Sequence, residues 1–496
     1  MMLRLPHRLL AAAVAGVLGQ TAFPQTVFAP GGFLGIVALL WLLRDIPPRQ
    51  GALIGAVFGV AFFGPMLAWL GPFGWYAVVA LAASQAAWLA GFGWLAAWGR
   101  WGRREPGGAF QVAVWFAAIE LARATVPLGG FEWGSLGYSG GDTLGNLAAF
   151  GGVRLVSLWM VLEAALLFSV VRCLRRPILV AIVAAYITPT LAGVLPIGVG
   201  AEREPFEVAI VQGSGPEERL IGLPRRGRVG PEDEIIVRQH LRQTATISSE
   251  DAPDLVIWPE NAYDRDPADM PELFAETLQQ VRRLGVPFLV GAITDDADGK
   301  QRNTNLLVTP QGITDQVAKR HLVPFGEFVP WGWPRRVLPI LEEYLPGDLA
   351  PGEGPGVVTV DGVTIGSAIC FESTYARDIR RIVADGAEII VVSTNNASYG
   401  RSKASRQHLE MSRMRAREHG KPVVQAAITG ISAFIMPDGR ILQATDHFAE
   451  TVIRQGLRPV QGRTWYARFG RMLEIALFLL AVGMISHESR YRRSKP

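Results

Sequence analysis

Three side chains in this sequence have types and settings that could do covalent chemistry. Cys370 closes the apolar run Val363-Thr-Ile-Gly-Ser-Ala-Ile-Cys370, and Glu260 closes Asp254-Leu-Val-Ile-Trp-Pro-Glu260. Lys319 sits in the run Ala318-Lys-Arg-His-Leu-Val-Pro-Phe-Gly-Glu-Phe-Val-Pro330. A free thiol titrates near pH ~8.5, so only a minority is thiolate at neutral pH. A nearby ammonium stabilises the thiolate, and a carboxylate can take the proton as general base. Together they could attack a carbonyl carbon and hold the acyl group as a thioester. A cysteine closing an apolar strand is by itself more often an inert core residue, so the weight rests on the three together.

Other chemistries are poorly supplied. The two cysteines, Cys173 and Cys370, make neither a disulfide framework nor a multi-Cys zinc site. The histidines are scattered, no Gly-rich phosphate loop is present, and no metal or cofactor is expected. With 48 basic against 44 acidic residues the charge is nearly balanced, and no nucleic-acid partner is expected.

The elements that must position these residues have strand character. Short β-rich runs recur at 206–213, 254–260, 287–293, 363–370, 388–395 and 431–437, with helix-like stretches at 271–284, 374–385 and 404–419 between several of them. Continuous apolar strands between helices predict an α/β sheet buried on both faces. Glu260, Cys370 and Asn395 stand at strand ends, where the chemistry of open α/β sheets tends to sit.

The rest of the chain is of another kind. Of 496 residues, 49% are hydrophobic and 19% charged, too apolar for an ordinary soluble enzyme. Residues 1–200 hold 12 Arg, no Lys, six acids and 10 of the 14 Trp. Apolar runs of bilayer-crossing length fall near 8–24, 27–43, 51–71, 74–98, 109–127, 153–171 and 178–199, with an eighth near 470–486. The first is read as a retained span, because removing it as a signal peptide breaks the alternation of basic loops. Arg4 and Arg8, Arg44 and Arg49, Arg100 to Arg104, Arg172 to Arg176 and Arg490 to Lys495 mark every second loop, which places those loops in the cytoplasm.

Residues 1–200 are thus expected as a seven-helix transmembrane domain and 201–466 as an extracytoplasmic α/β domain. Residues 467–496 complete the chain as a last span and basic cytoplasmic tail. Glu120 and Arg123, at i,i+3, are expected to pair. Arg154 is expected to meet a lipid phosphate or to snorkel, and tryptophans near span ends to anchor at the interface.

The triad and its surroundings resemble the nitrilase superfamily, whose members use Glu, Lys and Cys on an α-β-β-α sandwich. The order of spans and domain resembles, more narrowly, the bacterial apolipoprotein N-acyltransferase family. The phrases that carry this are Thr26-Val-Phe-Ala-Pro30, Leu136-Gly-Tyr-Ser139, Trp258-Pro-Glu260, Leu322-Val-Pro-Phe-Gly-Glu-Phe-Val-Pro330, Cys370-Phe-Glu372, Met411-Ser-Arg-Met-Arg-Ala416 and Thr429-Gly-Ile-Ser432. The resemblance implies that Glu260, Lys319 and Cys370 are catalytic, that Glu327 and Glu372 support the site, and that Phe371 lines the pocket. It implies a phospholipid acyl donor, a diacylated apolipoprotein acceptor, surrounding membrane lipids, a monomer, and a multi-pass place in the bacterial inner membrane.

The chain departs from that pattern in places. Gln212-Gly-Ser-Gly-Pro-Glu217 and the following Arg225, Arg226 and Arg228 replace a Gln-Gly-Asn and nearby Lys-Trp. Asn396-Ala-Ser-Tyr-Gly400 replaces an Asp-Ala-Trp-Phe-Gly type of run, and Glu132 stands where Pro is common. These differences bear on substrate identity. A different amine acceptor, a membrane-anchored amidase and a non-catalytic binding scaffold are the competing readings; the intact triad argues against the last.

Overall fold

A computed structural model describes residues 4–99, 101, 107–172, 188, 191–193, 203–215, 231–338, 341–342, 345 and 347–494. Cys173, Arg225, Arg226, Arg228, Lys495 and most of the run 178–199 lie outside these. The chain divides into two compact units, Met1–Pro196 with Arg468–Pro496, and Ile197–Ala467.

The first unit is helical. Its helices Leu5–Gln20, Gly31–Leu42, Pro48–Met66, Trp75–Trp98, Gly107–Arg123 and Ala148–Arg172 follow the expected apolar runs. Trp75–Trp98, Ala148–Phe168 and Trp465–Arg493 are long and apolar enough to cross a membrane. The run 27–43 gives a shorter helix than expected, because Pro30 stands as the cap and Gly31 begins the helix. Small residues let two backbones meet: a Cβ on Gly51 would lie 2.3 Å from Gly93 O, and one on Gly55 2.1 Å from Leu89 O. Such approaches are how helices associate where lipid provides no hydrophobic drive. The C-terminal helix packs Leu477, Ala481, Met484 and Ile485 around Val114, Trp115 and Ala118.

Two expectations for this unit are corrected. Arg123 donates to Gln85 Oε1 (3.0 Å), to the Phe131 and Trp133 carbonyls and to Ser135. Glu120 instead accepts from Leu136 N (2.7 Å) and pairs with Arg154 (3.4 Å). Arg154 also binds Glu132 at 2.8 Å and is buried, so it neither snorkels nor faces lipid. A cation taken out of water needs carboxylates close by, and here two converge on it. Trp75 is exposed, but Trp101, Trp115 and Trp133 are buried; Trp133 packs on Trp69 with ring centroids 5.1 Å apart.

The second unit is an α-β-β-α sandwich of two six-stranded sheets. In chain order the strands are β1 (Phe206–Gln212), β2 (Leu255–Tyr263), β3 (Phe288–Asp295), β4 (Gln301–Thr309), β5 (Gly312–Ala318), β6 (Val357–Val360), β7 (Val363–Ile369), β8 (Ile389–Thr394), β9 (Val423–Ala427), β10 (Ala433–Ile435), β11 (Ile441–Ala444) and β12 (Thr451–Leu457). One sheet runs β12-β1-β2-β3-β4-β5, the other β11-β10-β9-β8-β7-β6. Each has three parallel central strands, β1-β2-β3 or β7-β8-β9, flanked by antiparallel ones.

Side-chain alternation builds the layers. Leu255 and Ile257 of β2 face the other sheet, meeting a core that includes Ile365, Ile389 and Val391. Their neighbours Val256 and Trp258 face outward to Val237, Leu273 and Val281 of helices Pro231–Thr244 and Pro271–Leu284. The second sheet is covered by helices Ala376–Ala384 and Ala404–His419 through Ile379, Ile382, Val383 and Leu409. Each such aliphatic side chain contributes roughly 1.5–3 kcal/mol when fully buried.

The register of β2 slips against β3 between Trp258 and Tyr263, at the stretch that presents Glu260. Gly291 of β3 lies beneath it: a Cβ there would stand 2.2 Å from Pro259 O and 2.6 Å from Glu260 Cα. Gly291→Ala should therefore cost about 1–3 kcal/mol by overpacking, read as a lower unfolding midpoint in denaturant. An unchanged midpoint would show that β2 can move aside.

Candidate active site

Lys319 and Cys370 directly follow β5 and β7, whereas Glu260, expected at a strand end, lies inside β2, which runs on to Tyr263 past the break in its pairing with β3. The backbone of Lys319 is pinned on both sides: its N–H donates to Asn303 O and its carbonyl accepts from Gly352 N, each at 2.7 Å. Its side chain is 1% exposed. The ammonium lies 2.9 Å from Glu327 Oε1 and 3.6 Å from Glu260 Oε1. Burial by itself would favour loss of the Lys319 proton, but the charges of Glu327 and Glu260 outweigh it and hold the group well above its usual range. Lys319 thus stays an ammonium, and a base at this site must be a carboxylate.

Both carboxylates are fixed by further donors. Asn303 Nδ2, from β4, donates to Glu260 Oε1 (2.7 Å) and to Glu327 Oε1 (3.3 Å). Asn395 N, just past β8, donates to Glu260 Oε2 at 2.5 Å. Val323 N donates to Glu327 Oε2 at 2.8 Å, closing the loop that follows Lys319.

Cys370 begins the turn Cys370–Thr374 at the end of β7 and is buried. Its φ is +52°, a conformation that non-glycine residues adopt under constraint. Its carbonyl accepts from Ser373 Oγ (3.0 Å) and lies 3.2 Å from His408 Nε2, while Ser373 Oγ and His408 Nε2 are 2.6 Å apart. Burial pushes the Cys370 thiol up to about 12, and Glu260 adds to that. Lys319 and the Thr394 hydroxyl, whose Oγ1 lies 3.4 Å from Sγ, act against it. The thiol is therefore the resting form, beside a carboxylate able to take its proton.

Glu372 ties this turn to the lysine loop. Its Oε2 accepts from Ile369 N (2.8 Å), and its Oε1 accepts from Arg320 N (2.8 Å) and His321 N (3.0 Å). Burial, then Asp378, raises its titration, against the pull of those N–H groups. Phe371 is buried, edge-on to Tyr375 at 5.8 Å between centroids. The side chains of Glu260, Lys319, Glu327 and Cys370 thus share one buried cluster, while Glu372 acts on backbone.

Asn303 was not singled out in the sequence. The only signal was the i,i+2 pair Asn303-Thr-Asn305 on one strand face, both buried, with Asn305 donating to Ser367 Oγ at 2.8 Å. Thr394 was hidden in the polar end of an apolar strand. Among the described residues no group of His, Cys, Asp and Glu is arranged to hold a metal.

Removing the cation should expose how much it holds. Lys319→Met leaves Glu260 and Glu327 buried without it and should destabilise by about 3–5 kcal/mol; adding Glu327→Gln should restore part of that loss. Denaturant unfolding of the purified variants measures both, and a single variant as stable as the parent would contradict the pairing argument.

Comparison with known proteins matches both units of the chain. A model of the carbon-nitrogen hydrolase family matches residues 208–466, and one of the apolipoprotein N-acyltransferase N-terminal domain matches residues 15–166. The apolipoprotein N-acyltransferase of Mycolicibacterium smegmatis is 31% identical, the alignment covering 97% of this chain and 86% of that one. That of Geobacter metallireducens is 28% identical over 93% of this chain and 91% of its own. Among solved structures, Nit3 of Saccharomyces cerevisiae, of the nitrilase superfamily, aligns with 53% of this chain and 93% of its own at 16% identity and TM-score 0.39. The two family matches follow the helical and α/β units in order, and the chain belongs to the apolipoprotein N-acyltransferase family, membrane-bound acyltransferases with a carbon-nitrogen hydrolase domain.

Proposed function

We propose that the chain transfers an acyl group from a phospholipid, through a thioester on Cys370, to the N-terminal α-amine of a diacylglyceryl-cysteine apolipoprotein. The observation that carries this reading is the burial of Cys370, Glu260 and Lys319 in one cluster, with Lys319 held as the cation between Glu260 and Glu327. Family membership supports the acceptor, and the apolar helical unit supports a lipid donor.

In the first half-reaction Glu260 takes the Sγ proton and the sulfur attacks the ester carbonyl. Lys319 and the Phe371 N–H stabilise the oxyanion that develops. The C–O bond breaks as Glu260 returns the proton to the departing lysophospholipid oxygen, leaving the thioester. In the second, the acceptor amine attacks the thioester and gives a proton to Glu260. The C–S bond then breaks, and the sulfur recovers its proton. An ester and an amine become an alcohol and an amide, so no nucleotide is consumed. Proton transfer from Cys370 to Glu260 leaves the net charge of the buried cluster unchanged, which spares the site the desolvation cost of a new charge.

Intact mass after incubation with a phospholipid of defined acyl chains tests the first half. A gain of one acyl group, released by hydroxylamine and absent in Cys370→Ala, is expected; adding a diacylated lipopeptide should move that mass to the peptide. A folded protein with no adduct would overturn the reading, and loss of the acyl group to water alone would favour the amidase class.

The basic loops support a further part of the proposal, that both chain ends lie in the cytoplasm and residues 201–466 outside it. A reporter fused after Pro496 should behave as cytoplasmic and one inserted near Asp251 as extracytoplasmic. The reverse pattern would refute that orientation.

A further inference from the structure

The end of β8 addresses both partners of the proton transfer. Asn395 N holds Glu260 Oε2, while the side chain of the preceding residue, Thr394, faces the sulfur: Thr394 Oγ1 lies 3.4 Å from Cys370 Sγ. The same hydroxyl lies 2.8 Å from Asn396 Oδ1. Thr394 and Asn396 are fully buried, and Asn396 Nδ2 is buried with no hydrogen-bond partner.

A hydroxyl has one proton and two acceptors here, so it can serve only one at a time. While sulfur is a thiol, the hydroxyl can donate to Asn396 Oδ1 and turn a lone pair toward the Sγ proton. Once sulfur is a thiolate it needs donors, and the hydroxyl proton is the one at hand. A carboxamide has the same outline either way round. Turning it by half a rotation would bring Nδ2 to the Thr394 oxygen and release that oxygen's own proton for the sulfur. The backbone allows the room: a Cβ on Gly430 would stand 2.6 Å from Asn396 Nδ2.

We propose that Thr394 and Asn396 are positioning residues for Cys370: a hydroxyl that donates to the thiolate and an amide that aims it. This rests on Cys370 being the nucleophile of the proposed reaction. No atom is gained or lost in the switch; one hydrogen bond passes from Asn396 Oδ1 to Sγ, and the unsatisfied Nδ2 gains an acceptor. The burial that opposes ionisation of Cys370 makes such a donor worth having.

The pH dependence of Cys370 alkylation by iodoacetamide tests the idea with no acyl donor present. It uses the full chain in detergent with Cys173→Ser, so that Cys370 is the one thiol. At each pH below the Cys370 midpoint Thr394→Val should alkylate about tenfold more slowly, and Thr394→Ser should react like the parent. Thr394→Ala, which asks less of the packing, carries the same test if the valine variant does not fold. Asn396→Asp should slow alkylation more in the parent than in the Thr394→Val background, because its aim acts through the hydroxyl. A parent-like rate in folded Thr394→Val or Thr394→Ala would overturn the proposal, and equal slowing by Asn396→Asp in both backgrounds would remove Asn396 from it. A failed acyl adduct with these changes in rate intact would instead strike only the proposed function.

Discussion

A lysine ammonium with 1% exposure is the constraint on which the α/β unit's site depends. An unpaired charge at that depth would cost several kcal/mol, so the fold must deliver carboxylates to it. Glu260 comes from β2, Glu327 from the loop after Lys319, and Asn303 of β4 crosses between the two carboxylates. Each carboxylate then has lone pairs left over, and these take backbone N–H groups of Val323 and Asn395. The cation thereby fixes two loops and a strand end, and the thiol is placed against that frame.

Glu372 shows the same logic applied to backbone. One carboxylate gathers the N–H groups of Ile369, Arg320 and His321, joining the turn that carries Cys370 to the loop that carries Lys319. The positive φ of Cys370 is held from the other side by Ser373 on its carbonyl. Thiol and cation come from different sheets, and this clasp makes their separation a property of local hydrogen bonds as well as of sheet packing.

Much of this could be read from sequence, for identifiable reasons. Glu260 and Cys370 close uninterrupted apolar runs that become central strands buried on both faces, and the helices 271–284 and 404–419 appear where their patterns put them. Strands β4, β5, β6, β9, β11 and β12 escaped: β5, β11 and β12 are partly exposed, with Thr314, Asp315 and Gln316 of β5 all facing solvent, β6 is only four residues long, and the buried β4 and β9 carry polar residues such as Asn303, Asn305 and Gln425 inside the strand. Asn303 escaped because an amide bridging two carboxylates from distant segments leaves no local pattern. Helical spacing brings Arg123 near Glu120 in sequence and so suggests a pair that the structure does not form. Arg154 and Leu136 N reach the carboxylate instead, and Arg123 turns to carbonyls at 131 and 133.

That rearranged ion pair bears on how the helical unit assembles. Arg154 belongs to the helix Ala148–Arg172 and Glu120 to Gly107–Arg123, and each is buried against the other. A charged side chain on a lone helix costs about 2.5–3.5 kcal/mol at the centre of a membrane. The earlier helix therefore carries a carboxylate whose counter-charge lies further along the chain, and neither charge is matched until both helices are in place.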